Sequence, residues 1–419
     1  MRFGILTIGN ELTSGRTQDA NSSFIAACIN RQGWEVAVMM SLGDDKWAIE
    51  RGLKHMIDIS DAVIVTGGLG PTADDITTAS IADALGLALY TDEAALLHIQ
   101  TLFRNYGLRW TENNAKQAIF PEGAYPICNP VGSAWSFYLK IGKKIIVVTP
   151  GVPQEVRRII PEQVIPLLER EFIKGKHHVE SRTIKLFGIA EAAVDQALAD
   201  INWDQMDVGV GFYPQFPETH VVVTAKRTSS EETKKIIQMA EDEINKRLGE
   251  YVFAYDDETL EGVVASLLTK RSLTLSVAES CTGGLIADRL TDVSGSSAFL
   301  ERGVIAYSNL SKKELLGIPD AVLKEFGAVS EQTAVLMAKG VKKLAQTDIG
   351  LATTGIAGPT GGTESKPVGT VFVALADDRE TFCRHFIFRW DRRRVKIIAS
   401  QAALMMLNRR LSGESLHER

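Results

Sequence analysis

The chain has 419 residues, which is too long for one ordinary hydrophobic core and predicts about three domains. Hydrophobic residues make up 45% and charged residues 23%, a composition that fits a folded globular protein and excludes a disordered or fibrous one. The formal net charge of −6 argues against a dedicated nucleic-acid-binding protein, which normally carries a basic face.

The first part of the chain, residues 1–172, alternates short apolar runs with helical segments. We predict strands at 3–8, 35–40 and 62–66, and helices at 20–32 and 46–59. This alternation favours a parallel sheet with helices on both faces, an α/β/α sandwich. Ligands on such sheets bind at the carboxyl ends of the strands, so a site is expected there.

The third predicted strand runs into GGLGPTADD at residues 67–75. Glycines at a strand-to-helix turn let main-chain N–H groups approach a phosphate, and Asp74 and Asp75 could hold a divalent metal through oxygen ligands. A helix cap and its first-turn neighbour explain the two carboxylates equally well without a metal. Other polar residues also follow predicted strands or open helices and could join this site: Asn10, Glu11, Asp19, Asn21, Asp44, Asp45, residues 129–133 and residues 149–155.

The motifs GNELTSGRTQDAN, GGLGPTADDIT, NPVGSA and TPGVPQE resemble the molybdopterin-binding fold of the MoaB and MogA type, and more closely the amino-terminal domain of the CinA family. The resemblance implies metal-dependent hydrolysis of ADP-ribose to AMP and ribose 5-phosphate, with a divalent metal held by Asp44, Asp74 and Asp75. The implied nucleotide contacts are Gly67, Gly68, Gly70, Thr72, Asn129 and Gly132. Because a shared fold does not fix the ligand, a molybdopterin-binding or molybdopterin-processing module is the alternative.

Residues 173–256 follow a different order. We predict a strand at 183–187, a helix at 191–200, strands at 208–213 and 220–225, a helix at 231–248 and a final short strand. This is the split β-α-β-β-α-β order of a small α+β ferredoxin-like module. It contains no cluster of residues that suggests chemistry, so we expect a spacer or a dimer contact.

Residues 257–419 are predicted to form a second α/β domain, whose first strand leads into the turn ESCTGG at residues 279–284. A nucleophile at such a strand-to-helix junction would sit beside main-chain N–H groups that can hold an oxyanion. Ser280 is the predicted nucleophile, although a serine at a helix start often acts only as a cap. Cys281 is the rival, but no histidine lies nearby in sequence to stabilise its thiolate.

Two further segments end strands in polar or glycine residues. Residues 303–313 supply Tyr307, Asn309 and Lys312, and a lysine beside a serine serves as a base if burial leaves its amine neutral. The alternative for Lys312 is a solvated surface lysine. The glycine-rich residues 351–362 are typical either of a loop that approaches a phosphate or of a flexible turn. For the basic run at residues 389–396 the sequence favours a solvated helix start over a phosphate site.

The motifs AESCTGG, GSSAFLERGVIAYSN, GAVSE and GIAGPTGG with KPVGTV resemble the carboxyl-terminal domain of the CinA family over residues 258–410. That domain also exists as the free-standing nicotinamide mononucleotide deamidase. The resemblance implies hydrolysis of the nicotinamide amide to nicotinic acid mononucleotide and ammonia without a cofactor. By motif, Ser280 attacks the carboxamide, Lys312 takes its proton and Tyr307 relays a proton to the departing ammonia. The implied substrate contacts are Thr282, Gly283, Gly284, Ser296, Asn309, Gly355, Ala357 and Gly358.

These segments together predict a two-activity enzyme of pyridine nucleotide recycling, acting as a homodimer on nicotinamide mononucleotide and ADP-ribose. The contrasting interpretation is a non-catalytic partner in competence and recombination. Four cysteines without paired spacing indicate a reduced compartment. The sequence shows no cationic amino-terminal flank and no apolar stretch of about 20 residues, so we expect a cytoplasmic protein without a membrane partner.

Overall fold

The computed structural model describes residues 1–172 and 178–414. Residues 173–177, where the first predicted domain boundary falls, and residues 415–419 lie outside this part. The chain divides into two compact units, residues 1–180 with 226–234 and residues 181–225 with 235–419. Among the described residues, no helix combines the length and apolar character needed to cross a membrane.

The first unit is built on a six-stranded sheet. Its strands and helices are β1 (Arg2–Ile8), α1 (Asn10–Thr13), α2 (Ala20–Arg31), β2 (Glu35–Leu42), α3 (Lys46–Ile59), β3 (Ala62–Thr66), α4 (Thr77–Leu85), β4 (Leu89–Thr91), α5 (Glu93–Asn105), β5 (Ile119–Pro121), β6 (Tyr125–Ile127), β7 (Ser136–Ile141), β8 (Lys144–Thr149), α6 (Pro153–Ile159) and α7 (Ile165–Phe172). The strand order is β2-β1-β3-β8-β7-β6, with parallel pairs from β2 to β8 and antiparallel pairs beyond. β4 and β5 form a separate ribbon. The predicted α/β sandwich is confirmed.

The central strands of this sheet are apolar throughout because helices cover both of its faces. In β1, Phe3 and Ile5 pack into one core, and Leu6 and Ile8 pack into the other. All five residues of β3 are buried. The parallel strands β1, β3 and β8 therefore end at one edge, where the loops that follow them form a cavity.

The second unit begins with a four-stranded sheet. Its elements are β9 (His178–Phe187), α8 (Glu191–Leu198), α9 (Trp203–Met206), β10 (Val208–Gln215), β11 (Glu218–Arg227), α10 (Ser230–Leu248) and β12 (Val252–Tyr255). The strand order is β10-β11-β9-β12, which confirms the predicted split β-α-β-β-α-β module apart from the extra short helix α9. Apolar residues of α8 and α10, such as Val194 and Ile244, pack on Val221 and Val223 of the sheet.

The rest of the second unit is a five-stranded sheet between two layers of helices. Its elements are α11 (Leu260–Lys270), β13 (Leu275–Glu279), α12 (Leu285–Thr291), β14 (Leu300–Ile305), α13 (Asn309–Leu316), α14 (Asp320–Glu325), α15 (Glu331–Ala345), β15 (Ile349–Gly355), β16 (Thr370–Ala376), β17 (Thr381–Ile387) and α16 (Arg392–Ser412). The order is β14-β13-β15-β16-β17, and β13 is parallel to both of its neighbours. The carboxyl ends of β14, β13 and β15 therefore meet at one edge.

Candidate active site

Ser280 is the first residue after β13, at the edge where three parallel strands end. Its N–H donates to the carbonyl oxygen of Thr353 on β15 at 3.0 Å, which fixes its main chain against the sheet. The side chain is 8% exposed, so it is shielded without being sealed. The residue that caps α12 is Gly284, so Ser280 does not act as a helix cap.

Lys312 lies in the first turn of α13 and is 1% exposed, so its interpretation as a solvated surface lysine is wrong. Its Nζ is 3.0 Å from Oγ of Ser280, 2.7 Å from the carbonyl oxygen of Ala306 and 3.2 Å from that of Tyr307. A neutral amine has two N–H bonds for the two carbonyl oxygens and a lone pair for the Ser280 hydroxyl. Burial lowers the pKa of Lys312 to about 8, so a useful fraction of the amine is neutral near neutral pH.

Glu279, the last residue of β13, organises the turn that follows it, a role that the sequence pattern does not indicate. Its buried carboxylate accepts the N–H groups of Gly284, Ile286 and Ala287 at 3.0, 3.1 and 2.9 Å. The expectation that the start of α12 presents free N–H groups to a ligand is therefore corrected, because Glu279 takes them. Gly284 does not offer its N–H to a substrate for the same reason.

The turn after Ser280 keeps three other main-chain donors. Among the described residues, the N–H groups of Cys281, Thr282 and Gly283 donate to no oxygen atom, but those of Cys281 and Thr282 lie within hydrogen-bonding reach of the Cys281 sulfur. Oγ1 of Thr282 lies 2.7 Å from Oγ1 of Thr353, which ties the turn to β15. Cys281 is buried in the core, and desolvation raises the pKa of its thiol to about 12. The rival nucleophile is therefore protonated at neutral pH.

Two basic side chains of α16 lie beside this turn, although the sequence favoured a solvated helix start for them. Nη2 of Arg392 donates to the hydroxyl of Tyr307 at 2.9 Å, and Nη1 donates to the carbonyl oxygen of Gly358 at 2.8 Å. A Cβ placed on Gly283 would lie 3.4 Å from Nζ of Lys396. Lys396 forms no ion pair among the described residues, so its charge is available to an anion.

Tyr307 reaches the site in two ways. Its carbonyl oxygen accepts from Lys312, while its side chain is 60% exposed and its hydroxyl is held by Arg392. Within the described residues that hydroxyl contacts neither Ser280 nor Lys312. The other predicted contacts at this edge are Asn309 in the first turn of α13 and Gly355 at the end of β15, whereas Ala357 is packed into the core.

Ser296 is not brought to the site. It lies in a short 3-10 turn before β14, whereas Ser280 lies after β13. Since β13 and β14 are parallel, a residue before one strand and a residue after the other flank opposite edges of the sheet. The prediction that Ser296 contacts the substrate is therefore corrected.

The amino-terminal unit has a cavity of about 500 Å³ at the carboxyl ends of β1, β3 and β8, and Gly67, Gly68 and Gly70 line it. Gly67 has φ +107°, and a Cβ at this position would lie 2.1 Å from the carbonyl oxygen of Ile8. Only glycine fits there, because the chain turns so close to β1. The structure therefore brings the predicted glycine turn to the cavity.

The three carboxylates predicted to hold a metal line this cavity, and each already accepts a hydrogen bond from the protein. Asp75 accepts from N and Oγ1 of Thr72 at 2.8 and 2.6 Å, Thr72 also donates to Asp74, and Asp44 accepts from the N–H of Asn10. Oxygen donors suit a hard divalent cation. The three carboxylates are not close enough together to form a metal site as they stand. In the described part of the chain, no three His, Cys, Asp or Glu side chains are grouped to hold a metal ion. The metal therefore remains a prediction.

Asn129 and Gly132 do not line the cavity. They lie behind a residue that does. The buried Asn129 accepts the N–H groups of Val131 and Gly132 through Oδ1, both at 3.0 Å. Its Nδ2 donates to Oε2 of Glu155 at 2.8 Å. Glu155 does line the cavity, and burial raises the pKa of its carboxyl. Asn129 therefore positions the Glu155 carboxyl at the cavity.

Comparison with known proteins gives three family matches that together span most of the chain. The family models are "Probable molybdopterin binding domain" at residues 4–170, "Damage-inducible protein CinA KH domain" at 181–254 and "CinA C-terminal domain" at 257–411. A "CinA-like protein" of Syntrophus aciditrophicus is 60% identical over 99% of both chains. The chain belongs to the CinA family. A "Putative competence-damage inducible protein" of Caldicellulosiruptor bescii is 42% identical over 97% of this chain and 98% of its own.

A solved structure matches the CinA family chain over part of its length. It is described as the competence damage-inducible protein A (ComA) from Klebsiella pneumoniae, is 35% identical, and covers 36% of this chain and 95% of its own, with a TM-score of 0.36.

The KH-type module of this CinA family member lacks one expected feature. KH domains clamp a nucleic-acid backbone with a G-x-x-G loop. The matched segment, residues 181–254, has glycines only at 188, 209, 211 and 249, and no two of them are three positions apart. The matched segment therefore contains no G-x-x-G sequence.

Proposed function

We propose that the carboxyl-terminal domain is an amidohydrolase that converts nicotinamide mononucleotide and water to nicotinic acid mononucleotide and ammonia. The observation that carries the proposal is the 3.0 Å contact between Oγ of Ser280 and the buried Nζ of Lys312. A serine hydroxyl needs an unprotonated base nearby to become a nucleophile, and a desolvated lysine amine can serve as that base. The motif resemblance to the deamidase supplies the substrate.

In the proposed acylation step, Oγ of Ser280 forms a bond to the carboxamide carbon and its proton passes to Nζ of Lys312. The N–H groups of Cys281, Thr282 and Gly283 stabilise the negative oxygen that develops. Lys312 then gives the proton to the amide nitrogen, the C–N bond breaks and ammonia leaves. The product of this step is an ester on Ser280.

Deacylation reverses the roles. Water gives a proton to Nζ of Lys312 and attacks the ester, and the proton returns to Oγ of Ser280 as nicotinic acid mononucleotide forms. For the earlier acylation step, we propose that the proton from Lys312 passes to the departing ammonia through the hydroxyl of Tyr307. This relay forms only with substrate bound, because in the free protein that hydroxyl accepts from Arg392.

Basic side chains beside the turn support a phosphate-bearing substrate. Lys396 lies next to Gly283, and Arg392 bridges Tyr307 and Gly358 at the same edge. Neither cation is neutralised by a carboxylate among the described residues. We propose that they bind the 5′-phosphate of the mononucleotide.

The direct test of this proposal is ammonia release by the full-length protein. Purified protein is incubated with nicotinamide mononucleotide, and ammonia and nicotinic acid mononucleotide are quantified together. We expect equal amounts of both products. Absence of both products at enzyme concentrations where substrate binding is detected would refute the proposed reaction.

The pH dependence follows from Lys312. Because burial lowers the pKa of this amine to about 8, the base form increases with pH up to that value. We expect kcat/KM to rise about tenfold per pH unit below pH 8 and to level off above it. The measurement is a profile from pH 6 to 9.5, and a flat or falling profile over this range would contradict a lysine base.

Replacing Lys396 by alanine should weaken binding of the substrate phosphate. We expect KM for nicotinamide mononucleotide to rise about tenfold or more with little change in kcat. Nicotinamide riboside, which lacks the phosphate, should react equally with both proteins. The matched control is Arg393→Ala, an exposed residue of the same helix with no ion pair in the described part. Equal effects on both substrates would contradict the assignment.

We further propose that the amino-terminal domain hydrolyses ADP-ribose to AMP and ribose 5-phosphate. The observation that favours it is the 500 Å³ cavity, which combines a glycine turn with the carboxylates of Glu11, Asp44, Asp74 and Asp75. A divalent cation among these carboxylates would offset the charge of the pyrophosphate.

This second activity should depend on added metal. We expect AMP formation with Mg²⁺ or Mn²⁺, a loss of at least about 10²-fold with a chelator, and a similar loss in Asp44→Asn with metal present. AMP is quantified by chromatography, and the ammonia assay of the same samples is the control. Unchanged AMP formation after chelation would contradict metal dependence.

A further inference from the structure

The middle module reaches the carboxyl-terminal domain through the hairpin of β10 and β11. A two-residue turn, Phe216-Pro217, joins these strands. The ring of Phe216 meets that of Trp390 edge-to-face, with 5.3 Å between the ring centroids. The guanidinium of Arg394, in the first turn of α16, lies 5.3 Å from the centroid of Phe216 and 5.1 Å from that of Trp390. The tip of the hairpin therefore packs against the start of α16.

A second contact between the hairpin and α16 lies about two turns further along the helix. Oε1 of Glu218, the first residue of β11, accepts from Nε2 of Gln401 at 3.0 Å. Oε1 of Gln401 in turn accepts from Nη2 of Arg289 on α12 at 2.7 Å, and Gln401 is only 1% exposed. Hydrogen bonds therefore connect the hairpin to both helices whose first turns border the catalytic turn.

The hairpin and the catalytic turn contact different faces of α16. At 3.6 residues per turn, Arg394 and Gln401 lie within about 20° of each other around the helix axis. Arg392 and Lys396, which reach Tyr307 and the catalytic turn, lie on the roughly opposite face. The beginning of α16 is therefore held between the catalytic turn and the hairpin.

We propose that the hairpin of the middle module positions the phosphate-binding end of the deamidase site. Phe216 and Glu218 hold roughly the first three turns of α16 against the catalytic turn, which places Lys396 beside Gly283 before the substrate arrives. In this role neither hairpin residue touches the substrate, so both are positioning residues. The inference rests on the proposed function, in which Lys396 and Arg392 bind the phosphate.

The first test is steady-state ammonia release by full-length Phe216→Ala. We expect KM for nicotinamide mononucleotide to rise about three- to tenfold with kcat within about twofold of the wild type. The kcat/KM for nicotinamide riboside, which has no phosphate, should not change. Phe216→Tyr keeps the ring and should behave as the wild type. The matched control is Tyr213→Ala, at an aromatic residue of the same hairpin that is 53% exposed, and it should also leave both constants unchanged.

Two further sets of variants follow the contact through α16. Glu218→Ala removes the acceptor for Gln401 and should also raise KM for the mononucleotide alone, whereas Glu218→Gln keeps an acceptor and should restore it. In a Lys396→Ala background, Phe216→Ala should add little to the rise in KM, because both changes act on the same contact with phosphate. Thermal unfolding of each variant establishes that it is folded.

The outcomes distinguish this inference from the proposed reaction. If the wild type releases ammonia but both alanine variants of the hairpin keep its KM, or lose activity equally with both substrates, the hairpin has no positioning role. If the wild type releases no ammonia, the proposed reaction fails, and calorimetric binding of nicotinamide mononucleotide to the same variants decides. Weaker binding by Phe216→Ala than by Tyr213→Ala would support the inference, and equal or undetectable binding would overturn it.

Discussion

Replacing Ser280 by alanine should lower kcat for ammonia release from nicotinamide mononucleotide by about 10⁴-fold or more. The change removes the only atom that can form the proposed ester, and the neighbouring thiol cannot substitute because burial raises the pKa of Cys281 to about 12. The measurement is a coupled ammonia assay, with thermal unfolding to show that the variant is folded.

The matched control for this variant is Cys281→Ala, which removes the neighbouring side chain and leaves the hydroxyl in place. We expect it to keep kcat within about tenfold of the wild type, since it alters packing and not the nucleophile. An active Ser280→Ala protein, or a Cys281→Ala protein with the larger loss, would show that the nucleophile is wrongly assigned.

Replacing Lys312 by methionine should lower kcat/KM by about 10² to 10⁴-fold and abolish the rise in activity towards pH 8. Methionine keeps an unbranched chain in the buried position but cannot take a proton from Ser280. Lys312→Arg should be equally inactive, because a guanidinium remains protonated at any accessible pH. Kinetic profiles of both variants between pH 6 and 9.5 provide the measurement.

Lys313→Met is the control for the lysine variants. This neighbouring lysine is exposed and forms an ion pair with Asp320 at 2.9 Å. Neither residue has a predicted role in the reaction. We expect wild-type kinetics from it. A Lys312→Met protein that keeps both its activity and its pH profile would exclude this amine as the base, whereas loss in Lys313→Met as well would indicate a general effect on the helix.

Much of the architecture could be predicted because the two larger sheets are covered on both faces and their central strands are apolar. The bounds expected for α3 and β3 agree with the structure. The meeting of Ser280 and Lys312 follows from the same logic, since β13 and β14 are adjacent parallel strands and each residue follows one of them. Ser296 and Tyr307 belong to one sequence motif, but the strand β14 between them places them at opposite edges of the sheet.

The features that were missed depend on contacts that local patterns do not contain. Arg392 meets Tyr307 across 85 positions of sequence, so a basic run at a helix start gave no sign of it. Glu279 is a carboxylate at the end of a buried strand, which marks it as unusual, but its three acceptor contacts appear only once the turn is folded. Similarly, the sequence identifies the acidic residues near the glycine turn, but it does not show that Asp74 and Asp75 accept hydrogen bonds from Thr72.

The central claim is that Ser280 carries the acyl group, and rapid acid quenching tests it most directly. Wild-type protein is mixed with nicotinamide mononucleotide, quenched within milliseconds, digested and examined by peptide mass spectrometry. We predict a nicotinoyl mononucleotide ester on the peptide that contains Ser280, confined to that side chain and lost as the reaction proceeds. An adduct on Cys281, or ammonia accumulating with no residue acylated at any time, would contradict it.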